Sequence, residues 1–187
     1  MKNFSFLSRL SRLAASLRRD QKGVSAVEFA MLLPLMVTLY LGTVEISQGV
    51  AIHRKVTLTA RTVADLGSQA TSLSSDDMTN MLTAAQSVIA PFPANQLKVT
   101  VSAVTIDAKN VATVAWSCTL NGTKRATNST VPLPASLNVA NSQLIWSEVE
   151  YHYVPTIGYV VTGALNLQDQ LYMRPRLSDT VAGPSSC

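Results

Sequence analysis

An α+β fold is predicted for this 187-residue chain. It should hold one long N-terminal helix, a second short helix and a small antiparallel sheet of three to four strands. Three observations predict it. Residues 24–44 form an apolar run whose only charge is Glu28. The two segments that follow keep apolar residues at spacings near three and four. From Leu97 onward the period changes to two.

The long helix comes first. Phe29 to Val44 (FAMLLPLMVTLYLGTV) contains no charged residue. At about 1.5 Å per residue, the run from Val24 spans roughly 30 Å, the thickness of a bilayer's hydrocarbon core. Segment 24–45 is therefore assigned as a transmembrane helix. Pro34 removes one backbone donor and should kink the helix without ending it. Ahead of it stand Lys2, Arg9, Arg12, Arg18, Arg19 and Lys22 against Asp20 alone. Residues 1–23 thus carry +5. The other nine Lys/Arg face ten Asp/Glu, which leaves residues 24–187 at −1. A basic segment before an apolar run keeps the N-terminus in the cytoplasm and places the rest outside.

That distribution changes the meaning of the formal charge of +4 and the pI of about 9.3. The basic excess sits in the leader and not on a folded face that could follow phosphates, so nucleic acid is not expected as a partner. Membrane lipid is.

Segment 46–70 continues the helix in amphipathic form. Ile46, Val50, Ile52, Val56, Ala60, Val63 and Leu66 make an apolar stripe among Gln48, His53, Arg54, Lys55, Arg61, Thr62 and Asp65. His53-Arg54-Lys55 reads as a solvated face. Segment 71–187 is the outer domain. Ser75 is a plausible N-cap, with Asp76 and Asp77 in the first turn. Met78, Met81, Leu82, Ala85 and Val88/Ile89 carry a short helix to about Ala90, which Pro91-Phe92-Pro93 stops.

Strands then follow. Leu97, Val99, Val101, Ala103 and Thr105 alternate on one face, and Val111 to Leu120 forms a second strand after the turn at Asp107–Asn110. Asn121-Gly122 is a turn, and the Pro132/Pro134 stretch is a loop. In Ser142 to Val154, Ile145, Ser147, Val149, Tyr151 and Tyr153 oppose Trp146, Glu148, Glu150 and His152. Leu165 to Pro175 supplies a fourth strand.

The boundary Lys22-Gly23-Val24-Ser25-Ala26-Val27-Glu28-Phe29 admits three membrane roles. A secretory signal peptide would need a shorter apolar core and a small-x-small site, for which Gln48-Gly49-Val50-Ala51 is a weak candidate. An uncleaved signal anchor is compatible with the apolar run. The third role comes from a resemblance. Gly, then Glu-Phe four residues later, then a long apolar helix is similar to the type IV prepilin signature. The resemblance implies that a membrane-embedded prepilin peptidase cuts between Gly23 and Val24. Gly places no side chain near the scissile carbonyl. A carboxylate at the edge of an apolar helix costs up to roughly 3 kcal/mol if it goes deep, so Glu28 needs a partner. By the resemblance, that partner is the new α-ammonium of a neighbouring subunit, with Glu28 and Phe29 guiding subunit packing.

The second half extends the resemblance. Trp116-Ser117, Pro132-Leu133-Pro134, Glu148 to Pro155 (EVEYHYVP) and Met173-Arg174-Pro175-Arg176 are similar to the TadE-like proteins. These are minor pilins or pseudopilins of tight-adherence (Flp-type) pilus systems. The resemblance implies a pilin-like fold and cleavage of leader 1–23. It also implies residence in the inner membrane with a periplasmic outer domain. The partners it implies are prepilin peptidase, other pilins and the inner-membrane pilus assembly machinery. The expected function is pilus assembly, priming or capping in support of surface adhesion. An uncleaved membrane protein with a ligand- or partner-binding domain is one alternative, and a type II secretion pseudopilin is another.

Little else points to chemistry. Cys118 and Cys187 are the only cysteines. Outside the cytoplasm they can pair, because a Gly183-Pro184-Ser185-Ser186 tail gives Cys187 reach; a buried Cys118 with an exposed Cys187 is the alternative. His53 and His152 lie about 100 residues apart, in no metal-ligand spacing. Glu148 and Glu150 share a strand face with His152, which suits acid–base work less than a solvated surface. No phosphate loop, nucleophile elbow or zinc-protease motif occurs. No enzyme activity, cofactor or metal is expected.

Overall fold

The computed structural model describes residues 22–155 and 163–187; the basic leader ahead of Lys22 lies outside the described residues. The chain divides into two compact units, Met1–Val44 and Glu45–Cys187. The element order is helix α1 (Lys22–Ser68), helix α2 (Ser75–Ile89), a 3₁₀ turn (Ala94–Gln96) and strands β1 (Leu97–Ile106), β2 (Ala112–Leu120), β3 (Ser142–Tyr153) and β4 (Leu165–Met173). This is the predicted α+β class.

All four strands join one antiparallel sheet in the order β2-β1-β3-β4. β1 is central and pairs with β3 without interruption from Leu97↔Tyr151 to Ile106↔Ser142. Against β2 its register shifts between Ala103 and Val104, so Ala115 is the extra residue of a bulge.

One sheet face is covered by helix. Ile52, Val56, Ala60 and Val63 of α1 pack with Val99, Val101, Ile145 and Val149. Gly67 comes so close that an added Cβ would lie 3.0 Å from Ile145 Cγ2. The buried stripe is narrower than the sequence pattern implied. Ile46, Val50 and Leu66 are exposed at 71%, 49% and 40%, while Thr59 and Ala64 are buried. At 3.6 residues per turn the line through Ile52, Val56 and Val63 leaves those three larger side chains off the contact.

The Met stripe of α2 belongs to the same core, with Met78, Met81, Ala85 and Ile89 buried. Its cap lies one residue earlier than Ser75. Ser74 is the N-cap: its Oγ accepts from the Asp77 N–H (3.1 Å), and the Asp77 carboxylate accepts from the Ser74 N–H (3.0 Å) and hydroxyl (2.6 Å). Moving the cap back makes Asp77 the third helical residue, the position from which a carboxylate reaches the cap. The other end is held by Lys55 of α1, whose Nζ donates to the carbonyls of Val88 (3.0 Å) and Ala90 (2.6 Å). Lys55 is therefore a helix cap and not part of a solvated basic face.

The second sheet face divides in two. Val104, Ile106, Ala112, Val114, Leu144 and Trp146 form a smaller apolar cluster roofed by Val131, Leu133 and Leu137 of the β2–β3 loop. Nothing in the strand alternation announced this second core, because its roof has no regular period.

The C-terminal segment is a strap, not a loose tail. The Arg176 N–H donates to the Ser68 carbonyl, the Val181 N–H to Gln143 Oε1, and the Leu73 N–H to the Ala182 carbonyl. Trp116 Nε1 donates to the Val181 carbonyl at 2.9 Å. Any Cβ on Gly183 would overlap the Trp116 ring, so only glycine lets the strap cross there. At its end, Cys187 is bonded to Cys118, with Cα atoms 5.3 Å apart.

Two predictions follow from these closures. The disulfide closes a loop with a sequence separation of 69, for which loop-closure entropy gives a stabilisation of about 4 kcal/mol. Cys187→Ser should lower denaturant stability of the detergent-solubilised full chain toward that extent, and a loss well below 1 kcal/mol would mean the strap is held by its hydrogen bonds alone. The second concerns Asp77. Hydrogen bonds from Ser74 hold its carboxyl below the ordinary value of 3.8. A depressed carboxyl stabilises the fold above its unfolded pKa and ceases to as pH falls through the folded one. Amide exchange in the first turn of α2 should accelerate below about pH 4, and Asp77→Asn should remove that step.

Candidate membrane and assembly site

The segment around Gly23 is helical from Lys22 onward. Gly23 has no special backbone conformation, and a Cβ added there would meet no atom within 4 Å. Close packing requires glycine at 183 and crowds a Cβ at 67, whereas at 23 there is open space. No packing among the described residues requires glycine at 23.

Glu28 is exposed on the same helix. Among the described residues the ion pairs are Lys98–Glu150, Arg125–Glu148 and Arg176–Asp65, and none involves Glu28. Val24, Val27 and Phe29 around it are also exposed. So are Met31, Leu32, Leu33, Leu35, Met36, Val37, Leu39 and Tyr40. Leaving each such side chain in water forfeits about 1.5–3 kcal/mol relative to burial. The helix is long and apolar enough to cross a membrane.

Two of its threonines are satisfied within the helix. The Thr38 hydroxyl donates to the Pro34 carbonyl and the Thr43 hydroxyl to the Leu39 carbonyl, both at 2.8 Å. The helix runs through Pro34 without a break. The surface of segment 24–44 is thus apolar on all sides, with the single carboxylate near its start.

The outer domain does not assemble a catalytic group from the residues considered in the sequence. His53 is exposed on α1, and His152 on β3 contacts Asn166 through Nδ1 at 2.8 Å. Glu148 and Glu150 sit on one face but are drawn to different cations. Arg125 holds Glu148 in a bidentate pair (2.6 and 2.9 Å), while Lys98 Nζ lies 3.3 Å from Glu150. Among the described residues no group of three His, Cys, Asp or Glu is placed to hold a metal ion. Arg125 was not legible as important from sequence. It also lies over the Trp146 ring at 3.9 Å, and Trp146 stacks on Tyr172 at 5.2 Å. Burial, then the nearby Glu148 carboxylate, pushes the Tyr172 phenol up, and Arg125 opposes this.

The apolar first part of α1, where Glu28 has no ion-pair partner among the described residues, is the feature on which comparison with known proteins bears. Residues 23–65 match the family described as TadE-like protein. The TadE-like segment starts at the glycine itself and ends three residues before α1 does. It agrees with the resemblance to TadE-like proteins drawn from the sequence. The rest of the outer domain lies beyond the TadE-like match. No curated protein and no solved structure matches the chain.

Proposed function

We propose that this protein is a minor pilin or pseudopilin of a tight-adherence pilus, made as a precursor and matured by prepilin peptidase between Gly23 and Val24. The observation that carries this is the TadE-like match beginning at a glycine that no packing within the chain requires. Cleavage removes the +5 leader and leaves 164 residues at −1. The basic leader acts before the cut, holding the N-terminus in the cytoplasm while the outer domain reaches the periplasm.

After the cut, the Val24 α-ammonium and the Glu28 carboxylate stand near the start of one apolar helix. Within a bundle of such helices, a Glu28 facing a neighbour's ammonium is neutralised at a set axial stagger. A carboxylate and an ammonium attract far more strongly in a low-dielectric surround than in water. The exposed apolar surface of segment 24–44 fits both lipid before assembly and other pilin helices after it. The role is structural and non-catalytic, in assembly, priming or capping of the pilus and through it in surface adhesion. The enzyme of the system is the peptidase, for which this chain is the substrate.

The first test is the mass of the protein extracted from membranes of cells that contain the peptidase. The mature chain should begin at Val24, and Gly23→Leu should leave the precursor uncut. A wild-type chain that still begins at Met1 would identify it as an uncleaved anchor. The second test separates cutting from assembly. Glu28→Ala should be cut like the wild type yet fail to co-purify with partner pilins, whereas normal co-purification would remove Glu28 from the packing role.

A further inference from the structure

The uncovered half of the second sheet face carries a binding groove. Two rows of side chains cross the sheet there. Lys98, Glu150 and Gln168 form one; Thr100, Glu148 and Gln170 form the other, next to the covered row of Ser102, Trp146 and Tyr172. Adjacent strands put neighbours in a row about 4.8 Å apart. The β2–β3 loop, through Asn121, Thr123 and Arg125, walls one side, and the groove holds about 890 Å³.

The hydrogen-bonding capacity left over in this groove is mixed. Arg125 consumes both oxygens of Glu148. Lys98 bonds to Glu150 Oε1 and keeps further N–H donors, and Glu150 keeps Oε2 as an acceptor. Gln170 Oε1 accepts from Trp146 Nε1 (3.2 Å) and the Tyr172 hydroxyl (3.5 Å), which orients its NH₂ as a donor. Gln168 is exposed and has both ends of its amide to offer.

Donors and acceptors therefore alternate over a few ångströms, and the charges nearly cancel. An anionic ligand brings acceptors only and meets Glu148 and Glu150. A cationic ligand brings donors only and meets Lys98 and Arg125. A hydroxyl is donor and acceptor together and rotates to suit its partner. We propose that this groove binds a neutral oligosaccharide, a polyol whose adjacent hydroxyls span the rows from Lys98 to Gln168. The site lies wholly within the outer domain and is independent of leader cleavage.

The test uses the full chain in phosphatidylcholine nanodiscs, which avoid sugar-headed detergents. Maltohexaose, cellohexaose and the hexamer of N-acetylglucosamine serve as neutral probes, with a heparin hexasaccharide and spermine as charged ones. Titration calorimetry should give at least one neutral hexasaccharide a Kd of about 1 mM or tighter. The side-chain amide resonances of Gln168 and Gln170 should shift on its addition. Gln168→Ala, an exposed change that leaves the core intact, should weaken that binding about three- to tenfold. Absence of binding by all three neutral probes would overturn the proposal. So would tighter binding of heparin or spermine, or binding that neither shifts these amides nor responds to Gln168→Ala.

Discussion

The constraint on which this fold depends is that its central strand must be buried on both sides. β1 has strands on both flanks, so its backbone groups are all committed to neighbours, and Val99, Val101, Val104 and Ile106 need cover on two opposite faces. The helices supply one cover. The other comes from a loop without secondary structure, whose Val131, Leu133 and Leu137 reach only the end of the sheet near Val104 and Ile106. The chain meets the shortfall through composition. Beyond Trp146 the same face becomes Thr100, Glu148, Lys98 and Glu150, side chains that remain solvated without penalty. The polar groove is thus the direct complement of the short roof.

The bulge and the strap belong to the same economy of cover. At the bulge β2 carries one residue more than β1, so Trp116 remains on the helix side while Val114 faces the loop side. Trp116 then requires a partner for its indole N–H, and the Val181 carbonyl provides it. The strap in turn satisfies the Leu73 and Thr71 backbone between the two helices. A disulfide at the chain's last residue fixes a segment whose own apolar contact is mainly Val181. The disulfide thus ties the strap, which crosses the turn after α1, to β2.

What could be read from sequence follows from where the signal is periodic. The four strands and two helices were legible because apolar residues recur every two or about every 3.6 positions. The α1 run from Phe29 to Val44 was legible because a bilayer demands length and absence of charge. The α1 stripe was overdrawn: periodicity alone cannot tell Ile46 and Val50, which remain exposed, from Ile52 and Val56, which are buried. The cap at Ser74 was misplaced by one because Ser72, Ser74 and Ser75 offer the same hydroxyl, and only the distance to Asp77 decides among them. Arg125 and Gln143 were invisible. Each matters through partners 23 and 38 positions away, Glu148 and Val181, and no local pattern encodes such a pairing.

The two halves of the protein thus answer different pressures. In segment 24–44 almost every side chain is exposed and apolar, so its sequence is governed by what surrounds it and not by internal packing. Gly23 stands just before this segment and Glu28 within it, and neither has a packing or ion-pair contact among the described residues. In the outer domain the reverse holds. Its glycines at 67 and 183, its cap and its disulfide are each accounted for by a contact within the chain. The polar groove differs in that its donors and acceptors face solvent where the loop roof ends, and the proposed ligand is placed there. The two proposed roles lie where side chains face outward among the described residues, at the start of the apolar helix and on the open face of the sheet.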